Sequence, residues 1–419
     1  MTAGTARGNP ERLSSQQVAD RLGVRLQTVY AYVSRGLLTS RRAAGGRGST
    51  FDPAQVDALL ERDRARRVPG AARVAGTWRG PVVDTDITLI ADGHLWFRGV
   101  DAVDLAAAWG FEPVAEWRWT GEIGPARFEA PAGPLEAACA AVAALPPSAD
   151  LAAGLRVAGA AAAAADPLRY DVREHAVLPT ARGLVATMVE ALPRGGAGAD
   201  AGPLAHRLWA RLTELAPSDR LLGCLDAALV LLIDHDLAVS TVAARTAASV
   251  RANPYAVVAT GLSALEGPLH GTASALAFST LREAVDADPR SVVADHLRSG
   301  RLLAGFGHRA YPDGDPRAAA LLDRLRAEPV AAQALSALDA MSVASGTEPN
   351  VDGALAALAL AAGMPRSAGE VIFSIARSVG WIAHALEEYD EEPLRFRGEG
   401  TYRGPRPVQP VPTADVPLP

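Results

Sequence analysis

The chain contains no lysine; all 41 of its basic residues are arginine. With the excess of alanine, this bias reads as the mark of a GC-rich genome, and it lends helix propensity throughout. Aromatic residues make up only 5%, and β-branched or aromatic runs of the strand type are scarce. An α-rich protein is predicted. Cysteine is nearly absent: Cys139 and Cys224 are too few for a disulfide framework or a cysteine-built zinc site. A cytoplasmic protein without a metal is expected. The opening residues MTAGTARGNPERLSS lack the apolar core of a secretory signal. The longest apolar runs, such as residues 353–364, fall short of the roughly 20 residues that span a bilayer. No membrane partner is expected.

Common catalytic signatures are missing too. There is no Walker A, HExxH, CxxC or GxSxG. Gly305 and Gly307 lack the third glycine and the preceding strand of a dinucleotide fingerprint. Nucleotide-phosphate cradling, zinc catalysis and serine hydrolysis are poorly supported, and no cofactor is expected.

What is present divides the chain. Its 419 residues leave room for two or three domains and a large core. Residues 1–70 hold 12 arginines against 6 acidic residues, and the remainder 29 against 41. A basic head on an acidic body suggests two jobs. Residues 14–35 read as two short helices, with Val18, Leu22, Val29 and Val33 at helical spacing and Gly23 at the break. Residues 36–51 read as a turn and small hairpin, and residues 52–67 open with an Asp-Pro helix start. This pattern resembles the helix-turn-helix domain of the MerR and excisionase type, which puts its second helix, here about 26–34, into the DNA major groove. Arg25, Gln27, Thr28 and Tyr30 would face DNA, and Arg41, Arg42 and Arg47 would contact phosphate. The alternative is a folded adaptor. Residues 68–77 read as a linker. Residues 82–90, VVDTDITLI, are the one convincing strand-like piece, and after residue 132 nearly everything reads as helix.

Five places carry candidate chemistry. His235 ends an apolar run with an aspartate on each side; it reads as a site residue or an interhelical histidine. His270 stands between Pro268 and Gly271 at a predicted helix start, where the dipole favours a neutral imidazole. It reads as a carbonyl-polarising donor or a turn residue. In GFGHRAYPDGDPRAAA, residues 305–320, Asp315 is a predicted N-cap and Pro316 the first helical residue. Arg317 then puts a cation where the dipole disfavours one, as an anion site would. Asp352 precedes a long apolar helix and reads as a base or an N-cap. Arg377 lies inside an apolar helix and needs an anionic partner, either a ligand or an internal carboxylate; Arg395 and Arg397 follow in a loop. Three histidines, one aspartate and several arginines suit carbon–carbon bond formation beside a carbonyl. The arginines would hold a substrate with two carboxylates.

GPLHG, GFGHRAYPDGDPRA, PNVD and IARSVGWIAH stand in this order and resemble the motifs of citrate synthases. DTDITLI, LWFRGVDAVDLAA and FEPVAEWRWTG are similar to that family's amino-terminal region. The resemblance covers about residues 78–405. It implies a mainly α, two-domain fold: a large domain from 78–254 and 361–419, and a small domain over 255–360. A winged helix-turn-helix would occupy residues 1–67. It also implies a homodimer that shares its site and condenses acetyl-CoA with oxaloacetate. His270 would stabilise the enol, Asp352 would remove the methyl proton and His308 would protonate the oxaloacetate carbonyl. His235, Arg317 and Arg377 would hold oxaloacetate, with Arg395 reaching the neighbouring subunit.

The chain departs from the family pattern at several points. Thr272 and Ser274 follow His270 in place of the usual Gly and Asn, and Pro312 replaces a basic residue that contacts CoA. Gly353 replaces a bulky apolar residue, and RFRGEG replaces RPR. Two alternatives stand beside the first reading: a 2-methylcitrate synthase using propionyl-CoA, and a DNA-binding regulator whose body senses a metabolite.

Overall fold

The apolar stretch at residues 371–386 forms most of the longest helix among the described residues, Ala368–Asp390, whose side chains are buried almost without a break from Ala368 to Ala385. A helix apolar on every side must lie inside other helices, and this one does. The computed structural model describes residues 12–22, 29, 32–33, 38–42, 49–53, 55–56, 83–196, 202–398, 401–405 and 408. The chain divides into two compact units: Met1–Val82 with Val293–Leu303, and Val83–Val292 with Ala304–Pro419.

In the first unit, β1 (Leu13–Ser14), α1 (Ser15–Leu22), β2 (Ser40–Arg42) and β3 (Ser49–Phe51) surround a small core. The strands pair antiparallel in the order β1-β3-β2. Ser14 and Gln17 form a capping box: Gln17 N–H donates to Ser14 Oγ, and Ser14 N–H donates to Gln17 Oε1. Val18, Leu22 and Val29 are buried with Leu38, Phe51 and Val56, and Val33 packs on them. The expected hairpin at 36–51 is present as β2 and β3. Of the second expected helix only residues 29, 32 and 33 are described, and they are helical. Arg25, Gln27, Thr28, Tyr30 and Arg47 lie outside the described residues. Arg41 is exposed on β2; of Arg42 only the backbone, also on β2, is described.

The second unit opens with β4 (Thr88–Ala91), β5 (His94–Phe97) and β6 (Val100–Asp101), an antiparallel meander. The single strand expected at 82–90 is thus only the first arm of a three-stranded sheet. The turns are Asp92-Gly93 and Arg98-Gly99, all four with positive φ, as type I′ hairpin turns require. Helices then follow one another: α2 (Ala102–Ala108), α3 (Phe111–Thr120), α4 (Ala132–Ala143), α5 (Leu151–Ala165), α6 (Glu174–Glu190), α7 (Leu204–Leu212), α8 (Asp219–Leu232), α9 (Val239–Ser249), α10 (Pro254–Leu265), α11 (Ala273–Asp286), α12 (Pro289–Arg298), whose residues from Val293 onward are assigned to the first unit, α13 (Pro316–Leu325), α14 (Ala332–Ser345), α15 (Val351–Ala361) and α16 (Ala368–Asp390). α16 packs against α3, α5, α6, α8, α9, α10, α11 and α15. A second group, α11, α13 and α14, surrounds α15. No helix among the described residues is long and apolar enough to cross a membrane.

Two glycines in helices of this unit have opposite roles. A Cβ on Gly261 in α10 would stand 2.5 Å from the Trp381 ring of α16, so the two helices touch backbone to indole. A Cβ on Gly223 in α8 would meet nothing within 4 Å. Gly261→Ala is therefore expected to destabilise by about 1–3 kcal/mol through overpacking. Gly223→Ala is expected to stabilise by about 0.5–1 kcal/mol through lost unfolded-state entropy. Opposite shifts of the melting temperature in the two variants would check this reading; equal shifts would refute it.

Candidate active site

The loop that carries His308 is held by backbone. Gly305 and Gly307 have φ of 88° and 69°. The Asn350 N–H donates to Gly305 O at 2.9 Å, the Gly307 N–H to Glu348 O at 2.8 Å and Asn350 Nδ2 to Gly307 O at 2.9 Å. A Cβ on Gly353 would stand 2.5 Å from Gly305 O. The glycine at 353 is thus what this close approach requires. The Ala310 N–H donates to His308 Nδ1 at 3.1 Å, so a neutral His308 carries its proton on Nε2. Beside it lies a cavity of about 240 Å³, lined among others by Gly307, His308, Tyr311, Thr347 and Glu348.

Asp315 caps α13, as expected, by accepting from the Arg317 N–H. It also grips the Arg317 guanidinium through Nε–Oδ1 at 3.0 Å and Nη2–Oδ2 at 2.8 Å. Its Oδ2 accepts from the Val351 N–H at 3.0 Å as well, joining α13 to α15. The cation at the helix start is tolerated because its own cap neutralises it.

Asp352 is not a cap. Asn350 takes that role, its side chain accepting from the N–H groups of Asp352 and Gly353. The Asp352 carboxyl is left for other work. Withdrawal from water raises it to about 6, and Asp315 adds to the rise; Arg317 and Arg377 oppose it.

Arg377 is buried in α16, and no carboxylate of the described residues lies within ion-pair distance of it. Its Nε donates to Leu232 O at 2.9 Å, and its guanidinium lies 4.5 Å from the Phe373 ring centre. Its Nη1 has no partner among the described residues. Burial lowers it to about 10, so it stays charged at neutral pH. The internal salt bridge considered for Arg377 is therefore absent among the described residues.

The histidines gather around these groups. His235 follows α8; its Nε2 is 3.1 Å from Tyr311 Oη and its ring 5.0 Å from the His308 ring. His270 lies in the turn before α11, ahead of the helix start where it was expected. Its Nε2 is 2.7 Å from Ser240 Oγ, and its ring is 5.8 Å from Phe373. Burial and then Arg377 lower His270 to about 4; burial and then Arg317 lower His308 to about 4. Burial and then Arg317 and Arg377 hold His235 far below its ordinary value. All three imidazoles are neutral at neutral pH.

Arg395 stands apart from this group. It is clasped by Glu388 of its own chain, Nε–Oε1 at 2.7 Å and Nη2–Oε2 at 2.6 Å. That pair is the exposed end of an otherwise largely buried network that the sequence did not reveal. Asp234 Oδ2 accepts from Thr88 Oγ1 of β4 and lies 3.2 Å from His384 Nε2 and 3.8 Å from Arg118 Nη2. His384 Nδ1 accepts from Arg245 Nη1 at 2.8 Å, and Arg245 pairs with Glu387 at 2.7 Å and Glu388 at 3.2 Å. Burial alone would raise Asp234; His384, Arg118 and Arg377 outweigh it and hold the carboxyl below the usual range. The signal was available: a charged residue inside an apolar run is rarely buried without partners. Tyr311 and Ser240 were missed because nothing local marks them; Asn350 was passed over for Asp352, although asparagine is as good an N-cap.

Comparison with known proteins gives the family and the fold. Residues 76–397 match the model of the family described as citrate synthase, C-terminal domain. The chain belongs to the citrate synthase family. It is 37% identical over 198 residues to a citrate synthase of Haloferax volcanii, covering 45% of this chain and 52% of that one. With a citrate synthase of Saccharolobus solfataricus it shares 33% over 204 residues, 45% and 54% of the two chains. The chain thus spans about half the length of the curated relatives it matches. The crystal structure of citrate synthase from Pyrobaculum aerophilum is similar with a TM-score of 0.66 at 26% identity, covering 79% of this chain and 92% of that one. The Thermoplasma acidophilum citrate synthase, solved in ternary complex with carboxymethyl coenzyme A and oxaloacetate, gives 0.65 at 22%, covering 79% and 96%, a likeness of fold.

In this member of the citrate synthase family the raised Asp352 carries a stability cost. Unfolded, its carboxyl ionises in the ordinary range; folded, it holds its proton to about pH 6. Its contribution is full below the ordinary carboxylate range and is lost as pH rises through 6. Asp352→Asn is expected to melt higher than the natural chain at pH 8, by up to about 3 kcal/mol less solvent screening. The gap should shrink toward zero near pH 4. Melting curves at the two pH values check this; a gap independent of pH would remove the ionisation account.

Proposed function

We propose that the protein condenses acetyl-CoA with oxaloacetate to give citrate and CoA. The observation that carries this reading is the buried Arg377, with no carboxylate of the described residues paired to it, beside Arg317, three neutral histidines and a raised carboxyl. Arg377, Arg317 and His235 would hold the two carboxylates of oxaloacetate. Asp352, ionised above about pH 6, removes a proton from the acetyl methyl. If the Ser240 hydroxyl donates to His270 Nε2, Nδ1–H is left to stabilise the developing enol oxygen. The methyl carbon joins the oxaloacetate carbonyl carbon, and His308 Nε2–H gives that oxygen its proton. Water then cleaves the citryl thioester and releases CoA. The Thermoplasma protein, which shares the fold, was solved with carboxymethyl coenzyme A and oxaloacetate, ligands of the two classes this reading calls for.

In the same reading the enzyme is a homodimer in the cytoplasm, its small domain over about 255–360 closes on substrate, and Arg395 leaves Glu388 to reach the partner's site. The N-terminal unit, with its arginine excess and exposed Arg41, would contact DNA through a helix-turn-helix.

Thiol release from acetyl-CoA with and without oxaloacetate tests the reaction. Oxaloacetate-dependent release is expected, with kcat/KM climbing through about pH 6 as Asp352 ionises. Propionyl-CoA, one methylene larger, is expected to react more slowly, within the roughly 10–200-fold that one methylene can discriminate; a faster rate would make the protein a 2-methylcitrate synthase. Asp352→Ala should lower turnover about 10²–10⁴-fold and leave oxaloacetate binding by calorimetry nearly intact. No release from the natural chain, with oxaloacetate still bound, would replace the enzyme by a binding protein.

A further inference from the structure

Tyr311 has no part in the mechanism above, yet it is almost fully buried in the middle of the site. Its hydroxyl is 3.1 Å from His235 Nε2. Its ring centre lies 5.0 Å from that of His308, 5.5 Å from that of His235 and 5.4 Å from the Arg317 guanidinium carbon. The Tyr311 N–H donates to His308 O at 3.1 Å, closing the turn that holds the His308 ring. One side chain therefore joins two loops that lie 76 positions apart in the chain.

The hydrogen bond to His235 can run in either direction, and the direction decides what His235 offers a ligand. If the phenol accepted from Nε2–H, its own proton would have no acceptor among the described residues. A buried polar hydrogen left so costs the desolvation of that group. Nδ1 of His235 would then be a bare acceptor, which repels a carboxylate. If the phenol donates, its proton is satisfied and Nδ1 of His235 carries the ring's proton. Burial pushes Tyr311 up to about 12, so the hydroxyl has its proton to give. His235, surrounded by Arg317, Arg377 and two further imidazoles, stays neutral and has one proton to place.

We propose that Tyr311 is a positioning residue that donates its hydroxyl proton to His235 Nε2. This bond fixes His235 in the Nδ1–H tautomer, which presents a donor to an anionic substrate oxygen. The donor role of His235 rests on the reading of the site as one for a 2-oxo dicarboxylate. The tautomer itself does not.

The test has a readout that needs no turnover. In full-length protein with ¹⁵N in the imidazole rings of its 8 histidines, the His235 signals are assigned by their loss in His235→Asn. The natural chain is expected to show a protonated Nδ1 and a bare Nε2. Tyr311→Phe, which keeps the ring, is expected to lose that pattern. A protonated Nε2 in the natural chain overturns the proposal, and so does a pattern unchanged in Tyr311→Phe. Kinetics supply the second arm. Tyr311→Phe should raise the oxaloacetate KM about tenfold, the effect of one lost hydrogen bond, and by more than it lowers kcat. Tyr311→Leu, which also removes the ring beside His308, should lower kcat further. An unchanged KM in Tyr311→Phe overturns the donor role. If the natural chain shows no oxaloacetate-dependent turnover, the proposed reaction fails on its own and the tautomer decides the case for Tyr311.

Discussion

A guanidinium placed inside an apolar helix without a carboxylate to hold it is the constraint from which much of this unit follows. Arg377 is charged, buried and short of one partner. Its charge is made bearable at a distance. The Leu232 carbonyl takes Nε, the Phe373 face lies against the cation, and Asp234 raises its proton affinity without touching it. Asp234 must then be held in turn. Thr88 on the meander, Arg118 on α3 and His384 on α16 do so from three different elements. The small sheet and the long helix thereby become supports for one loop, the loop that also presents His235. A carboxylate in direct contact with Arg377 would be simpler, but it would fill the place that an anionic ligand needs.

Close backbone approach is the second requirement, since charges and imidazoles from five segments must meet in a small volume. Gly305 and Gly353 let the His308 loop lie against the first turn of α15. A Cβ on Gly380 would strike Ile233 O and Asp234, so this glycine lets the His235 loop lie against α16. The departure at residue 353 from the usual family residue is therefore a packing feature of the site.

Burial sets the protonation states more than any single partner does. The same withdrawal from water keeps His235, His270 and His308 neutral and raises Asp352, because it always disfavours the charged form. Arg317 and Arg377 act on both groups with opposite benefit: they push the imidazoles further down and stop the carboxyl from rising beyond about 6. Neutral donors and a carboxylate near its titration point are what enolisation asks for. They are obtained at the expense of folded-state stability at neutral pH.

Local chemistry decided what the sequence could reveal by itself. The helical class followed from composition and periodicity. The Asp315-Pro316 helix start followed from capping rules that act within three residues. The order of GPLHG, GFGHR, PNVD and IARSVGWIAH pointed to the family before any geometry was available. The ambiguities lay where the partner is distant or the competition is subtle. Asn350 and Asp352 are both plausible caps, and only the observed hydrogen bonds give the role to Asn350. Arg317 looked like a free cation until Asp315 was seen to clasp it. The chain Asp234–His384–Arg245–Glu388–Arg395 joins residues up to 150 positions apart, and no periodicity records such a pairing. Capping and amphipathic patterns are written in neighbouring residues because the bonds they describe are local. Burial, charge compensation and tautomer choice depend on what the fold brings alongside, and so the tertiary structure alone decided them.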